Sequence, residues 1–256
     1  MASAIEFDPI HLPPEAEELR VEVRAFLKEE IAAGTFDPQT VPMSGGFNRE
    51  FSRKVGAKGW IGMTWPKKYG GQERSFLERY VVTEEMRAIS APTRAHFTAD
   101  RQSGPVLLKY APEEIKRDVL PRIVSGDCCF CIGMSEPDTG SDLFAAKARA
   151  VKVDGGWQLN GSKVWTTNAH QAEYMIGLFR TSPATEYTRR HGLSQFLVDM
   201  RHTDGITVNT IRFMHGMPDS KTVVFEAVSI AYRPLPVTVD AAGTQATTTG
   251  RSHRGG

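Results

Sequence analysis

The spacing of apolar residues changes near Gly126, and this change limits the folds open to the chain. Before it, apolar residues recur at helical intervals, as in "PEAEELRVEVRAFLKEEIAA" from Pro14 to Ala33. After it, β-branched and aromatic residues alternate in short runs separated by Gly, Asp and Asn. The sequence therefore predicts an α+β protein, in which an N-terminal all-α helical domain (residues 1–126) precedes an antiparallel β-barrel-like middle domain (residues 127–240).

Local signals define the elements within these two parts. Further helices are predicted at 48–58, at 75–89 with Ser75 as the N-cap, at 103–110 and at 112–125. The stretch "VDGGWQLNG" carries the two-residue turn of a β-hairpin. From Ala241 onward the chain has no large apolar residue, so the sequence predicts a disordered tail over residues 241–256.

Composition excludes several classes of partner. A formal net charge of +1 gives no global field that would favour nucleic acid or an anionic membrane. No apolar run approaches the roughly 20 residues that span a bilayer, and the N-terminus has early acidic residues without an apolar leader core. The sequence predicts a cytoplasmic protein with no membrane span and no bound nucleic acid.

The three cysteines all fall within "DCCFCIG". A zinc site would need further Cys or His ligands at defined spacing, and no such pair is placed to complete one. We therefore expect Cys128, Cys129 and Cys131 to be small buried side chains at the start of a strand, and we expect no metal site.

Two short segments carry the chemistry of the chain. In "MSEPDTGSD" a strand end opens into a turn whose backbone N–H groups and hydroxyls can receive a phosphate or another acceptor-rich ligand. Taken alone, such a segment is more often a plain turn. In "GSKVWTTNA", Trp165 beside Thr166 and Thr167 offers one stacking plane and two hydroxyl donors, which suit an isoalloxazine or a purine, although a lone Trp is more often a core residue.

The order of these pieces resembles that of the acyl-CoA dehydrogenase family. The resemblance covers about residues 15–226 and includes "GWIGMTWPKKYGG", "ADRQSGP", "SEPDTGSD", "NGSKVWTTN" and "FMHGMPDS". It implies a helical domain, a middle β domain and a C-terminal four-helix bundle, with FAD held between the β domain and the bundle. It also implies a homo-oligomer, or a heteromer in which a partner supplies the bundle.

The resemblance assigns the cofactor site by position. Residues 132–141, including Ile132, match the first FAD-contacting stretch, with Met134 and Ser135 at the flavin ring. Ser141 matches a serine near the FAD phosphates and the pantetheine arm of the substrate, so it is also a predicted substrate-binding residue. Trp165, Thr166 and Thr167 match the second stretch, in which the Trp lies against the flavin and a Thr hydroxyl reaches N5.

The implied reaction is the FAD-dependent α,β-dehydrogenation of an acyl-CoA thioester to a trans-2-enoyl-CoA, as in fatty acid metabolism, with an electron-transfer flavoprotein as acceptor. In the family the α-proton is removed by a glutamate of the C-terminal bundle. The last glutamate here is Glu226, in the final strand segment, so we expect no catalytic residue in this chain and a truncated protein that is inactive alone. We interpret Glu136, Asp138 and Asp142 as turn residues rather than substitute bases.

Two other functions remain open from the sequence. The first is a non-catalytic subunit that completes a flavin site with a partner carrying the missing bundle. The second is another flavoenzyme on the same scaffold, such as an acyl-CoA oxidase or a nitroalkane oxidase, which would consume oxygen without a further electron acceptor.

Overall fold

Helices come first and strands follow in the computed structural model, which describes residues 11–39, 46–183, 191–214 and 220–231. The α-helices are α1 (Pro14–Ala32), α2 (Arg49–Ala57), α3 (Phe76–Ala88), α4 (Arg94–Thr98), α5 (Gly104–Tyr110) and α6 (Glu113–Val124). The strands are β1 (Phe130–Gly133), β2 (Arg149–Val153), β3 (Gly156–Lys163), β4 (Tyr174–Arg180), β5 (Leu193–Asp199), β6 (Ile206–Ile211) and β7 (Ser220–Ala231). This order confirms the predicted fold class.

Helix ends follow the predicted capping chemistry. The Ser75 hydroxyl accepts the backbone N–H of Glu78, and the Glu78 carboxylate accepts the backbone N–H of Ser75, which forms a complete capping box for α3. Asn48 caps α2 by accepting the N–H of Phe51. The predicted helices at these two places, like α1, are confirmed to within one residue at each end.

The sequence did not predict α4 or the π-helical turn at Ala99–Ser103 that joins it to α5. Each is only five residues long, too short for a repeating apolar pattern to show. Such π turns are frequent at functional sites. Here the turn ends the helical segment that forms one wall of the cavity described below.

The strands form one sheet in the order β1-β4-β2-β3-β7-β6, with β5 paired to β4. The prediction of an antiparallel sheet is only partly correct, because β1 and β4 run parallel and β2 meets β4 in parallel at a single residue pair. A parallel pair needs a long connection, and here the β2–β3 hairpin lies within the connection from β1 to β4. The sheet is therefore mixed, while its other pairings are antiparallel.

The β2–β3 hairpin confirms the turn predicted from "VDGGWQLNG". Val153 pairs with Gly156, and Gly155 between them has φ +78°, a conformation that glycine adopts without steric cost. This hairpin fixes the register of β3, whose last residue is Lys163. The side chains at the end of β3 therefore have defined inward and outward directions.

Helices and sheet share apolar packing where they meet. Phe130 of β1 and Ile176 of β4 are fully buried in the same cluster as the helical residues Leu107 and Ile123. The proposed division at residue 126 stays a prediction, and the predicted disordered tail at 241–256 lies outside the described residues. Within the described part of the chain, every helix is too short or too polar to cross a bilayer.

The three cysteines are buried at or just before β1, as predicted. Burial raises the pKa of Cys128 and of Cys129 to about 12 and raises that of Cys131 as well. Because the thiolate is the nucleophile, we expect no reaction of the folded protein with a thiol-specific disulfide reagent at pH 8, and three equivalents after unfolding in guanidinium. Rapid reaction of one thiol equivalent in the native protein would contradict this burial.

Candidate functional site

A cavity of about 710 Å³ opens between the helices and the strand ends. One wall, here called the strand wall, comes from the end of β1 and from the segments after β1 and β3, and includes Ile132, Met134, Ser135, Trp165, Thr167 and Asn168. The opposite wall, here called the helical wall, comes from α3, α4 and the π turn and includes Arg87, Thr93, Arg94, Phe97, Thr98 and Gln102. A volume of this size suits a cofactor or a medium-sized organic ligand.

Trp165 presents a large apolar ring to this cavity. Its side chain is 58% exposed, and its backbone has φ +58°, a left-handed conformation that is uncommon for a bulky residue. The ring stacks on Phe213 with 6.2 Å between centroids and 16° between planes. A strained backbone that holds an indole at a cavity surface indicates a ligand-binding role rather than a core role.

The structure brings together five of the seven predicted cofactor residues. Ile132, Met134, Ser135, Trp165 and Thr167 line the cavity. Thr166 and Ser141 do not belong to the lining.

Thr166 is fully buried, because the left-handed backbone of Trp165 interrupts the strand alternation and turns the next side chain inward. Its hydroxyl has no hydrogen-bond partner among the described residues, and its backbone N–H donates to the Lys221 carbonyl. Ser141 is exposed in the turn beyond the first segment.

A buried ion pair lies beneath the two predicted segments. Lys163 Nζ donates to Glu136 Oε1 at 2.7 Å, and the lysine side chain is 0% exposed. The Glu136 carboxylate also accepts the backbone N–H groups of Lys147 and Ala148 at 2.7 and 3.0 Å. These bonds confirm that Glu136 is a turn residue, and they occupy the carboxylate that a base would need free.

Lys163 is the important residue that the sequence analysis missed. Burial lowers the pKa of this lysine, while the charge of Glu136 opposes the shift. The signal was present in the alternation of β3, because Trp157, Leu159 and Lys163 share the inward-facing parity. A lysine that points inward from a strand is buried only when a partner compensates its charge. The inward position of Lys163 therefore also predicts an acidic neighbour.

The same lysine connects the two segments of the strand wall. Lys163 Nζ lies 3.3 Å from the Met134 carbonyl, and the Val164 N–H donates to the Ser135 carbonyl at 2.9 Å. These two contacts fix the position of Met134 and Ser135 relative to the end of β3. Since Trp165 follows directly, the geometry of the strand wall depends on these contacts.

The helical wall carries two guanidinium groups. Arg94 donates to Asn168 Oδ1 at 3.2 Å, and the Asn168 amide donates back to the Arg94 carbonyl at 3.0 Å, which joins the two walls. The Arg87 guanidinium lies over the Phe97 ring, 4.7 Å from its centroid. Among the described residues, the lining of the cavity contains these two cations and no carboxylate.

Comparisons with known proteins agree over most of the chain. Residues 13–127 match "Acyl-CoA dehydrogenase, N-terminal domain", and residues 131–228 match "Acyl-CoA dehydrogenase, middle domain". Acyl-CoA dehydrogenase FadE26 of Mycobacterium tuberculosis is 31% identical over 225 residues, which cover 86% of this chain. The chain spans 56% of the length of that relative.

Solved structures give the same result. The steroid acyl-CoA dehydrogenase Tcur3481-Tcur3483 superposes with a TM-score of 0.84 at 31% identity, over 95% of this chain and 62% of that one. A glutaryl-CoA dehydrogenase from Mycobacterium smegmatis in complex with FADH2 shares the fold, with a TM-score of 0.78 at 23% identity, over 95% of this chain and 60% of that one.

Proposed function

Because the chain belongs to the acyl-CoA dehydrogenase family, we propose that its cavity binds the isoalloxazine ring of FAD. The proposed reaction is the α,β-dehydrogenation of an acyl-CoA thioester to a trans-2-enoyl-CoA, with an electron-transfer flavoprotein as acceptor. The observation that carries the proposal is the exposed Trp165 ring of the second motif segment, which lines the same cavity as Met134 and Ser135 of the first.

The residues of the strand wall fit a flavin. An isoalloxazine ring has two broad faces and a rim of hydrogen-bond acceptors, and the wall offers an indole face, the Met134 side chain and the hydroxyls of Ser135 and Thr167. Stacking would cover an indole that is otherwise exposed to water. A purine needs the same features in part, but the family supports the flavin.

Bound FAD would supply a two-electron acceptor for the hydride that leaves the β-carbon. The chain's own residues would bind and orient it: Trp165 excludes water from one face, while Ser135 and Thr167 donate hydrogen bonds to ring acceptors. A donor fixed in advance stabilises developing charge without reorganisation, which is the physical use of a hydroxyl at this place. Glu136 is committed to Lys163 and the turn, so we propose no proton-abstracting role for it.

Two further assignments rest on the family resemblance. We propose that Ser141, exposed beyond the cavity, contacts the FAD phosphates and the pantetheine arm. Thr166 remains a proposed cofactor residue only through its backbone, because its side chain is buried. The oligomeric state, homomeric or heteromeric, stays a prediction.

Replacing Trp165 with alanine is expected to weaken FAD binding about tenfold, because an aromatic stack contributes on the order of 1 kcal/mol beyond its area. The measurement is a titration of the purified chain with FAD, followed by the flavin absorption band after gel filtration and by quenching of flavin fluorescence. Phe76→Ala is the matched control, since Phe76 is also an exposed aromatic residue (67%) but lies outside the cavity lining.

Failure of the unaltered chain to take up FAD would overturn the proposed cofactor site. Equal affinity of the Trp165→Ala variant and the unaltered chain would show that the indole is not a stacking surface for the flavin. Thr167→Val, which removes only the hydroxyl, separates the hydrogen-bond contribution from the stacking contribution.

A further inference from the structure

Phe213 begins the segment "FMHGMPDS" and lies beside Trp165 in the cavity lining. The two rings are nearly parallel, with 16° between their planes and 6.2 Å between their centroids. Aromatic pairs at this separation attract each other beyond the area that they bury. The contact therefore connects Phe213 with the residue that carries the proposed flavin site.

Sheet register brings the two rings together. Strands β3 and β6 both pair antiparallel with β7, on its opposite sides, so they run in the same direction and finish at the same end of the sheet. Lys163 is the last residue of β3 and Ile211 is the last residue of β6. Trp165 and Phe213 each follow two residues later. The backbone topology, rather than local sequence, thus places the phenyl ring next to the indole.

The backbone of Trp165 is anchored, whereas its side chain has few contacts. The peptide N–H groups of Val164 and Thr166 donate to the segment after β1 and to β7, which holds the chain on both sides of the residue. The side chain itself is 58% exposed, and in the described part of the chain its indole N–H forms no hydrogen bond. An exposed side chain samples several rotamers, and ordering it costs entropy. The stack on Phe213 is the contact that orients this ring.

We propose that Phe213 is a positioning residue of the flavin site: it holds the Trp165 indole in the orientation that receives the isoalloxazine ring. The inference rests on the proposed function, in which Trp165 stacks on FAD. A ring that is ordered before binding does not have to be ordered by the ligand, so the stack raises FAD affinity through preorganisation. Phe213 acts through Trp165, and its effect on FAD affinity disappears when the indole is absent.

The first test measures the indole without any cofactor. The chain has four tryptophans, and three of them, Trp60, Trp65 and Trp157, are at most 4% exposed. Acrylamide quenching of tryptophan fluorescence therefore reports mainly on Trp165. Phe213→Leu removes the ring and keeps an aliphatic side chain, so it should raise the quenching constant and shift the emission to longer wavelength. Trp165→Ala should remove the readily quenched component.

The second test is a double-mutant cycle on the dissociation constant for FAD. Phe213→Leu should weaken FAD binding about fivefold, because an aromatic stack that orders the ring is lost. Trp165→Ala should weaken it about tenfold, and the double variant should also weaken it about tenfold, since no indole is left to position. Two independent contacts with FAD would instead multiply to about fiftyfold.

Three further variants complete the design. Phe213→Tyr keeps the ring and should match the unaltered chain in both tests. Phe213→Met is a second variant without a ring, and it replaces Phe213→Leu if circular dichroism shows that the leucine variant does not fold. Phe76→Leu makes the same chemical change at an exposed aromatic residue outside the cavity lining, and it should alter neither measurement.

Equal acrylamide quenching of the unaltered chain and the ring-free variants would overturn the proposal. A fiftyfold loss in the double variant would also overturn it and assign Phe213 its own contact with FAD, and a Phe213→Tyr variant as weak as Phe213→Leu would show that the ring is not the important feature. The quenching comparison needs no cofactor, so it distinguishes the two failures. Increased quenching in a protein that takes up no FAD refutes the proposed function, whereas unaltered FAD affinity in Phe213→Leu refutes this inference alone.

Discussion

Replacing Lys163 with methionine is expected to lower the free energy of unfolding by about 3–5 kcal/mol. Methionine fills much of the same volume, so the loss does not come from a cavity. It comes from the Glu136 carboxylate, which stays buried without its cation while still accepting two backbone N–H groups. Urea denaturation followed by circular dichroism at pH 7 measures the change.

The neighbouring lysine provides a matched control. Lys147 also pairs with an acidic residue of the same turn, Asp138 at 3.0 Å, but both side chains are more than 70% exposed. Lys147→Met should therefore cost no more than about 1 kcal/mol. The combination of Lys163→Met with Glu136→Gln should recover part of the loss, since no buried charge remains and the amide oxygen can still accept backbone N–H groups.

The ion pair also has a functional consequence. Lys163 Nζ contacts the Met134 carbonyl, so its removal releases the segment that carries Met134 and Ser135 into the cavity. The Lys163→Met variant should bind FAD more weakly than the unaltered chain under conditions in which both are folded. Unchanged stability, or a double variant whose loss equals the sum of the single losses, would mean that the pair is not coupled as the geometry indicates.

The sequence predicted the strand wall better than the rest of the cavity. The glycines and hydroxyls of the two segments, with Trp165, are local features, and the structure places five of the seven predicted residues around one cavity. Both exceptions have the same cause: a sequence motif identifies a stretch of chain but not the direction of each of its side chains. Thr166 is buried because the left-handed Trp165 breaks the strand alternation, and Ser141 lies beyond the turn.

The helical wall was not predictable from local signals. Arg94 and Phe97 lie on a helix of five residues with no side-chain cap, and Arg87 is near the C-terminal end of α3, where a surface arginine is usual. The packing of α4 against β1 brings Arg94 and Phe97 opposite Trp165. The parallel pairing of β1 with β4 was missed for the same reason, since the partners lie 44 residues apart in the register Phe130 to Tyr174.

His96, on the same short helix as Arg94 and Phe97, should make the stability of the protein depend on pH. Its ring is buried against the Ser52 hydroxyl, with 2.8 Å between Ser52 Oγ and His96 Nδ1. Burial, and to a smaller extent the positive charge of Arg101, lowers the pKa of His96 to about 3. The folded state therefore keeps this ring neutral at pH values where the unfolded chain, with a histidine pKa of about 6.5, binds a proton.

Because the folded pKa is depressed, the contribution of His96 to stability is complete above pH 6.5 and is lost progressively as the pH falls toward 3. Between pH 7 and pH 4.5 the loss should be about 2.5 kcal/mol. The experiment measures the free energy of unfolding in urea across this range for the unaltered chain and for His96→Gln, which retains hydrogen-bonding groups but does not titrate. The variant should have a shallower dependence by about that amount, whereas His170→Gln, at an exposed ring, should follow the unaltered chain. Parallel curves for His96→Gln and the unaltered chain would show that the ring is protonated, or open to water, in the folded state.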